Sequence, residues 1–124
     1  FLKDQPKFLF EYGQCLSKTG QYEEGIRILT EGTRLSADPM FYNIMGKDAE
    51  ALKHFGQAEA CFKQASYMVP HRLYPLYLLA KMYFESGQPE KGRDMARQVI
   101  QKAPKVMSDA VKEMKAELEE RLKP

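Results

Sequence analysis

Tyr67-Met68-Val69-Pro70-His71-Arg72-Leu73-Tyr74-Pro75-Leu76-Tyr77-Leu78-Leu79-Ala80-Lys81-Met82-Tyr83-Phe84-Glu85-Ser86-Gly87 contains the end of one helix, a short turn and the whole of the next helix. Pro70 has no N–H with which to continue a helix and biases Val69 away from the α region, so the first helix stops near Met68. Pro75 falls in the first turn of the next helix, where a missing N–H has no intrahelical partner to lose. Leu76, Leu79, Ala80 and Tyr83 then recur at i, i+3, i+4 and i+7 and share one helical face. Gly87 ends that helix.

The rest of the chain repeats this unit. Gly20, Lys53 and Gly87 are 33 and 34 positions apart. The same offsets relate Leu9, Tyr42 and Leu76; Tyr12, Met45 and Leu79; Gly13, Gly46 and Ala80; Leu16, Ala49 and Tyr83; and Gly25, Ala58 and Gly92. Small residues meet small ones and large apolar residues mostly meet large ones. One unit therefore reads as helix, tight turn, helix, turn, with a small residue wherever two helices approach closely.

These are the defining positions of the tetratricopeptide repeat, and the chain resembles that family over most of its length. The second unit matches best, with Tyr42, Met45, Gly46, Ala58, Phe62, Ala65 and Pro70. The third carries Leu76, Leu79, Ala80, Tyr83, Gly87 and Pro104 but departs at Gly92, Ala96 and Val99. The first has Leu9, Tyr12, Gly13, Leu16 and Gly20, with Gly25 and Gly32 where Ala is usual and Ala37 where Pro is usual. The resemblance implies an all-α fold, a right-handed solenoid of three tetratricopeptide-type helix pairs plus a C-terminal capping helix. Residues 1–124 form a single repeat domain in this reading, with repeats at about 6–38, 39–72 and 73–105 and the cap at about 108–122.

In order along the chain, Asp4 caps the first helix, Pro6 lies in its first turn, and Leu9, Tyr12 and Leu16 form its inner stripe. Phe8 and Phe10 lie off that stripe, so one of them meets something other than the partner helix. The second helix runs from Tyr22 to Leu35, and its Gly25 and Gly32, each about 1 kcal/mol worse than Ala in a helix, mark close contacts. Asp38 caps a helix from Met40 to about Leu52. His54 follows in the turn where the family more often has Gly. The fourth helix, Phe55 to Met68, presents Phe55, Ala58, Phe62 and Ala65, with Val69 just beyond its end, and the sixth runs from Pro89 to about Lys102. After Pro104 the period stops. Ser108 or Asp109 caps a last helix with one apolar stripe, Met107, Val111, Met114 and Leu118, and with Glu117–Arg121 and Glu119–Lys123 pairs on its wet side. Such a helix closes the open end of a stack.

Composition excludes several functions. Among 124 residues, 19 basic and 17 acidic side chains give a net charge of +2, and balanced charge of this kind provides no nucleic-acid footprint. The longest apolar run, Leu76 to Ala80, is far too short to span a bilayer. Because the chain begins at Phe1 and not at Met, it reads as a soluble fragment excised from a larger parent. Cys15 and Cys61 read as core thiols, and neither they nor His54 and His71 have partners at metal-ligand or triad spacing, so no metal and no cofactor is expected. Phosphate-loop, nucleophile-elbow and zincin motifs are absent. The chain itself is not expected to be an enzyme.

What remains is a surface. In this family the first helix of each unit lines the concave side. The resemblance therefore assigns partner binding to Phe10, Gln14 and Lys18 in the first unit, Asn43, Lys47 and Glu50 in the second, and Tyr74, Tyr77, Lys81 and Phe84 in the third. Aromatics interleaved with amides and lysines suit an extended peptide or a partner helix. The alternative is that Tyr74, Tyr77 and Phe84 pack against flanking chain, so that the domain buttresses its parent. Some family members clamp chaperone C-termini with lysine, asparagine and arginine; here Phe10, Gln14, Ile44, Tyr74 and Leu78 occupy those positions, and a chaperone-tail adaptor is not expected.

Three stretches carry a closer resemblance: Lys7 to Gln14, Asp38 to Lys47 and Tyr67 to Lys81. They are similar to the repeat region that follows the membrane domain in O-antigen ligase-like proteins of Bacteroides-type bacteria. This implies a non-catalytic protein–protein interaction scaffold at the C-terminal side of an inner-membrane protein of surface polysaccharide biosynthesis. Glycan binding, with Tyr74, Tyr77 and Phe84 as stacking platforms, is a further alternative.

Overall fold

The computed structural model describes residues 5–102 and 108–123. Asp4, Pro104 and Met107, to which the sequence assigns capping, terminating and packing roles, lie outside the described residues. The described residues form seven helices and no strand: α1 (Gln5–Lys18), α2 (Tyr22–Thr33), α3 (Met40–Ala51), α4 (Phe55–Met68), α5 (Tyr74–Glu85), α6 (Pro89–Gln101) and α7 (Asp109–Leu122). The short turns within α1–α2, α3–α4 and α5–α6 force each pair to fold back on itself. The pairs stack in sequence, and α7 packs on α5 and α6. This is the helical solenoid that the repeat implies.

The three intra-pair turns share one geometry. After each first helix the chain passes through a left-handed residue, Gly20 (φ 81), Lys53 (φ 62) and Gly87 (φ 77). The next N–H then reaches back to a helix carbonyl: Gln21 to Leu16 at 2.8 Å, His54 to Ala49 at 2.8 Å and Gln88 to Tyr83 at 2.8 Å. This closes the helix end with the 6→1 bond of a Schellman turn. The residue that replaces glycine is therefore Lys53, and His54, expected there, comes one position later. Between pairs, the Met40 N–H donates to Asp38 Oδ1 at 2.9 Å, so Asp38 caps α3 across Pro39. Ser108 caps α7 by accepting from the Val111 N–H at 3.2 Å.

The core is strung along the stack in three clusters. Leu29, Phe41, Met45 and Cys61 join the first pair to the second. Ala49, Ala58, Phe62, Leu78, Leu79, Met82 and Tyr83 join the second to the third. Leu73, Ala80, Ala96, Val99 and Leu118 bind α7 to the third. Close approach explains Gly32, where any Cβ would collide with the Phe41 ring. Along α4, Ala58, Phe62 and Ala65 are fully buried as expected, whereas Phe55 is only partly so.

Some expectations need correction. Tyr12, placed in the inner stripe, is 41% exposed, because none of the described helices covers its side of α1. α2 stops at Thr33, short of Leu35. Cys15 is exposed, and Cys61 is the buried thiol, pushed up to about 11 by burial and by nearby Asp48. On α7, Glu117 pairs with Lys81 at 3.5 Å rather than with Arg121, whose guanidinium lies over the Phe84 ring at 5.2 Å. Lys123 meets Glu120, at 3.0 Å, rather than Glu119.

Candidate protein-interaction groove

Pro75 in the first turn of α5 and the break at Val69–Pro70 hold the start of α5 beside the start of α3 and against α7. The side chains at that meeting point are Tyr74 and Tyr77, one turn apart, with rings stacked at 6.2 Å between centroids and 26° between planes. A groove of about 460 Å³ lies along α3 and α5, lined by Lys47, Glu50, Tyr74, Tyr77, Leu78, Lys81 and Glu85. A second, of about 790 Å³, runs between the α4–α5 turn and α7, with His71, Arg72, Tyr74, Tyr77, Val111, Met114 and Glu117 in its walls. A third, of about 300 Å³, opens between Asp38, Met40, Asn43, Val69, Arg72 and Tyr74. Tyr74 borders all three grooves.

Five of the ten residues assigned from sequence thus meet in one groove: Lys47, Glu50, Tyr74, Tyr77 and Lys81. The other five do not join them. Phe10 packs edge-on against Phe41 at 5.1 Å, Gln14 is half-buried and Lys18 exposed on α1. Phe84 turns towards α6, where an added Cβ on Gly92 would sit 3.0 Å from its ring, and towards Arg121. Asn43 is 2% exposed. Its Nδ2 approaches the Met40 sulfur at 3.4 Å, and its buried Oδ1 has no hydrogen-bond partner among the described residues. A buried acceptor left without a donor is costly, and Asn43 borders the third groove.

The groove contains charged groups with partners. Lys81 Nζ lies 5.0 Å from the Tyr77 ring centroid, 3.2 Å from Tyr77 Oη and 3.5 Å from Glu117. Burial pulls the Lys81 ammonium down, but Tyr77 and Glu117 more than offset it, and the net shift is upward. Burial, then the hydrogen bond and charge of Glu85, push the Glu50 carboxyl well above the usual carboxylate range against the pull of Lys81 and Lys47. Two facing carboxyls of this kind favour sharing a proton over carrying two charges.

Neither wall of the larger groove, Met114 on α7 and His71 and Arg72 in the α4–α5 turn, was assigned from sequence. The narrow apolar stripe on α7 was the available signal, but periodicity does not say which residues of α5 it would meet.

Two family patterns, both described as tetratricopeptide repeat, match residues 6–39 and 76–105. The chain is built of tetratricopeptide repeats. Solved structures of similar fold include the first such repeat domain of Spaghetti (RPAP3) bound to the HSP90 peptide SRMEEVD, 18% identical over 96% of each chain with a TM-score of 0.75. They also include the Arabidopsis OM64 repeat domain, 15% identical over 98% of this chain and 100% of that one, with a TM-score of 0.76. PcrH in complex with the chaperone binding region of PopB is 15% identical over 96% of this chain and 95% of that one, with a TM-score of 0.74. At these identities the likeness is one of fold. No curated protein matches the chain, and no O-antigen ligase is among these matches. No helix of the described residues is long and apolar enough to cross a membrane. Modules of this repeat class are generally non-catalytic.

Proposed function

We propose that this repeat stack is a non-catalytic scaffold that holds an extended segment of a partner protein across Tyr74 and Tyr77. The observation that carries the reading is the position of that stacked pair, which borders the α3–α5 groove and the α5–α7 groove together. Stacked tyrosines offer broad apolar contact with little side-chain entropy to lose. Around them Lys47 and Lys81 offer ammonium groups and Glu50 and Glu85 carboxyls to the polar groups of such a segment. The HSP90 peptide seen on the Spaghetti domain is not carried over, because Phe10, Gln14, Ile44, Tyr74 and Leu78 stand where the family's clamp would be.

A second reading draws on the Lys81–Glu117 pair: the third repeat and α7 satisfy each other, and the groove is an internal buttress. One double variant separates them. Tyr77→Ser with Lys81→Ser abolishes binding of 12-residue peptides selected from a displayed random library while the Tm moves by less than about 3 °C, equivalent to under about 1 kcal/mol. A larger fall in Tm with binding retained rejects the scaffold reading. The parent assignment, a membrane protein resembling O-antigen ligases, rests on the three stretches quoted above; a full-length gene product without a set of upstream apolar spans rejects it.

A further inference from the structure

Gly13 and Ser17 of α1, Gly25 of α2 and Asp48 of α3 meet at one point where the first helix pair rests on the second. Ser17 Oγ lies 3.0 Å from the Gly13 carbonyl and 2.7 Å from Asp48 Oδ2. Gly25 supplies the room, because a Cβ there would sit 3.0 Å from Asp48 Oδ2 and 3.1 Å from Ser17 Oγ. While Asp48 is ionised, these three oxygens have a single hydroxyl proton among them, and Ser17 can donate to the carboxylate or to the carbonyl but not to both. A buried carboxylate that shares its one side-chain donor is costly. A proton on Asp48 completes the set: Asp48 then donates to Ser17 Oγ, and Ser17 to Gly13. The next junction along the stack has no such group, since Met82 of α5 occupies the register of Asp48.

We propose that the proton on Asp48 is a latch: with it the first helix pair is seated on α3, and without it α1 and α2 open from the rest of the stack more often, so that attachment of the first repeat follows pH. The groups around Asp48 leave it to act alone. α1 presents Ser17 and α2 presents Gly25, neither of which ionises. Cys61 on α4 keeps its proton, its thiol being pushed up to about 11 by burial and by Asp48. Lys47, on the same helix as Asp48, opposes the effect of burial only in part, and Lys81 and Glu85 of α5 act on Glu50 instead. Burial pushes the seated carboxyl up to about 6, whereas in the open form it returns towards the ordinary value of about 3.9. Asp48 therefore favours the seated form below the open value, and this preference is lost as pH rises through about 6. The ratio of open to seated first repeat rises about tenfold between pH 5 and pH 8. Phe10, Gln14 and Lys18 travel with α1, so the proton controls how far the concave face extends.

Asp48→Asn holds the latch closed at every pH, because the amide Nδ2 donates to Ser17 Oγ as the protonated acid does. Amide hydrogen exchange of the full chain and of this variant, compared at the same pH, cancels the chemical exchange rate and leaves the difference in opening. In α1 and α2 the unmodified chain is expected to exchange faster than the variant, by a ratio about tenfold larger at pH 8 than at pH 5. In α5 and α6 that ratio should barely change. A ratio in α1 and α2 that is the same at the two pH values overturns the proposal. So does an equal change in every helix, because Asp48 then acts on the stack as a whole and latches nothing. The unmodified chain gives the test without the variant: protection of α1 and α2 relative to α6 should fall by about the same factor from pH 5 to pH 8, and a constant relative protection rejects the latch.

Discussion

Asp48 is 2% exposed, in the register where α1 carries Cys15 and α5 carries Met82. Ser17 Oγ lies 2.7 Å from Asp48 Oδ2 and 3.0 Å from the Gly13 carbonyl, so its single proton serves one acceptor at a time. Burial pushes the Asp48 carboxyl up to about 6, and Ser17 and Lys47 only partly oppose it. A carboxyl whose folded pKa lies above its unfolded value, about 3.9, is best accommodated below the unfolded value. That contribution is lost as pH rises through about 6, and at neutral pH the buried charge opposes folding by at most about 3 kcal/mol. Asp48→Asn keeps the shape and removes the charge. It is expected to stabilise the chain by about 1–3 kcal/mol at pH 7.5 and by close to nothing at pH 4, measured by urea unfolding at both. An equal effect at the two pH values would show that Asp48 titrates normally. The sequence reading did not single out this residue: the register sets an acid where the equivalent positions carry Cys15 and Met82, but a register does not say that the position is buried until the facing helix is known.

At the scale of the element, the turns between paired helices test how far the repeat constrains its own geometry. Lys53 adopts the left-handed conformation that glycine adopts in the other two pairs, at a cost of about 1–2 kcal/mol for a residue with a Cβ. Glycine removes that strain and gives part of it back as extra freedom of the unfolded chain. Lys53→Gly is therefore expected to stabilise by up to about 1 kcal/mol, visible as a higher urea midpoint with the slope unchanged. Destabilisation would mean that the Lys53 side chain makes a contact outweighing its backbone. Helix boundaries were legible because prolines, glycines and Asp38 act locally: α3, α4 and α6 end within a residue of where the sequence places them. Which of the candidate residues share a groove was legible only in part, because side-chain direction depends on what the next element leaves open. Gly92 leaves room for Phe84 to turn away from the groove, and α5 brings Tyr74 and Pro75 up to the groove that Asn43 borders. Tyr12 misled for the opposite reason, since among the described residues no helix stands where the repeat pattern buries its equivalents.

At the scale of the whole molecule, the three clusters follow one another along the stack, and most packing is between neighbouring elements. Stability in such an array is close to a sum of local terms. α7 then protects its own end most. Leu118 is fully buried with Leu73, Ala80, Ala96 and Val99, and Lys115 Nζ donates to the carbonyls of Ile100 at 3.0 Å and Lys102 at 2.8 Å, satisfying the end of α6. Leu118→Ala removes a buried side chain worth about 2–4 kcal/mol. Hydrogen exchange on the variant should show amide protection falling most in α5, α6 and α7, less in α3 and α4, and least in α1 and α2. The Lys81–Glu117 contact should loosen with it, so peptides selected on the Tyr74–Tyr77 groove should bind differently to this variant although Leu118 does not border the groove. Uniform loss of protection from α1 to α7 would instead mean that the stack unfolds as one cooperative unit. The two ends would then be energetically joined, and a substitution that loosens α1 would be felt at the groove on α5.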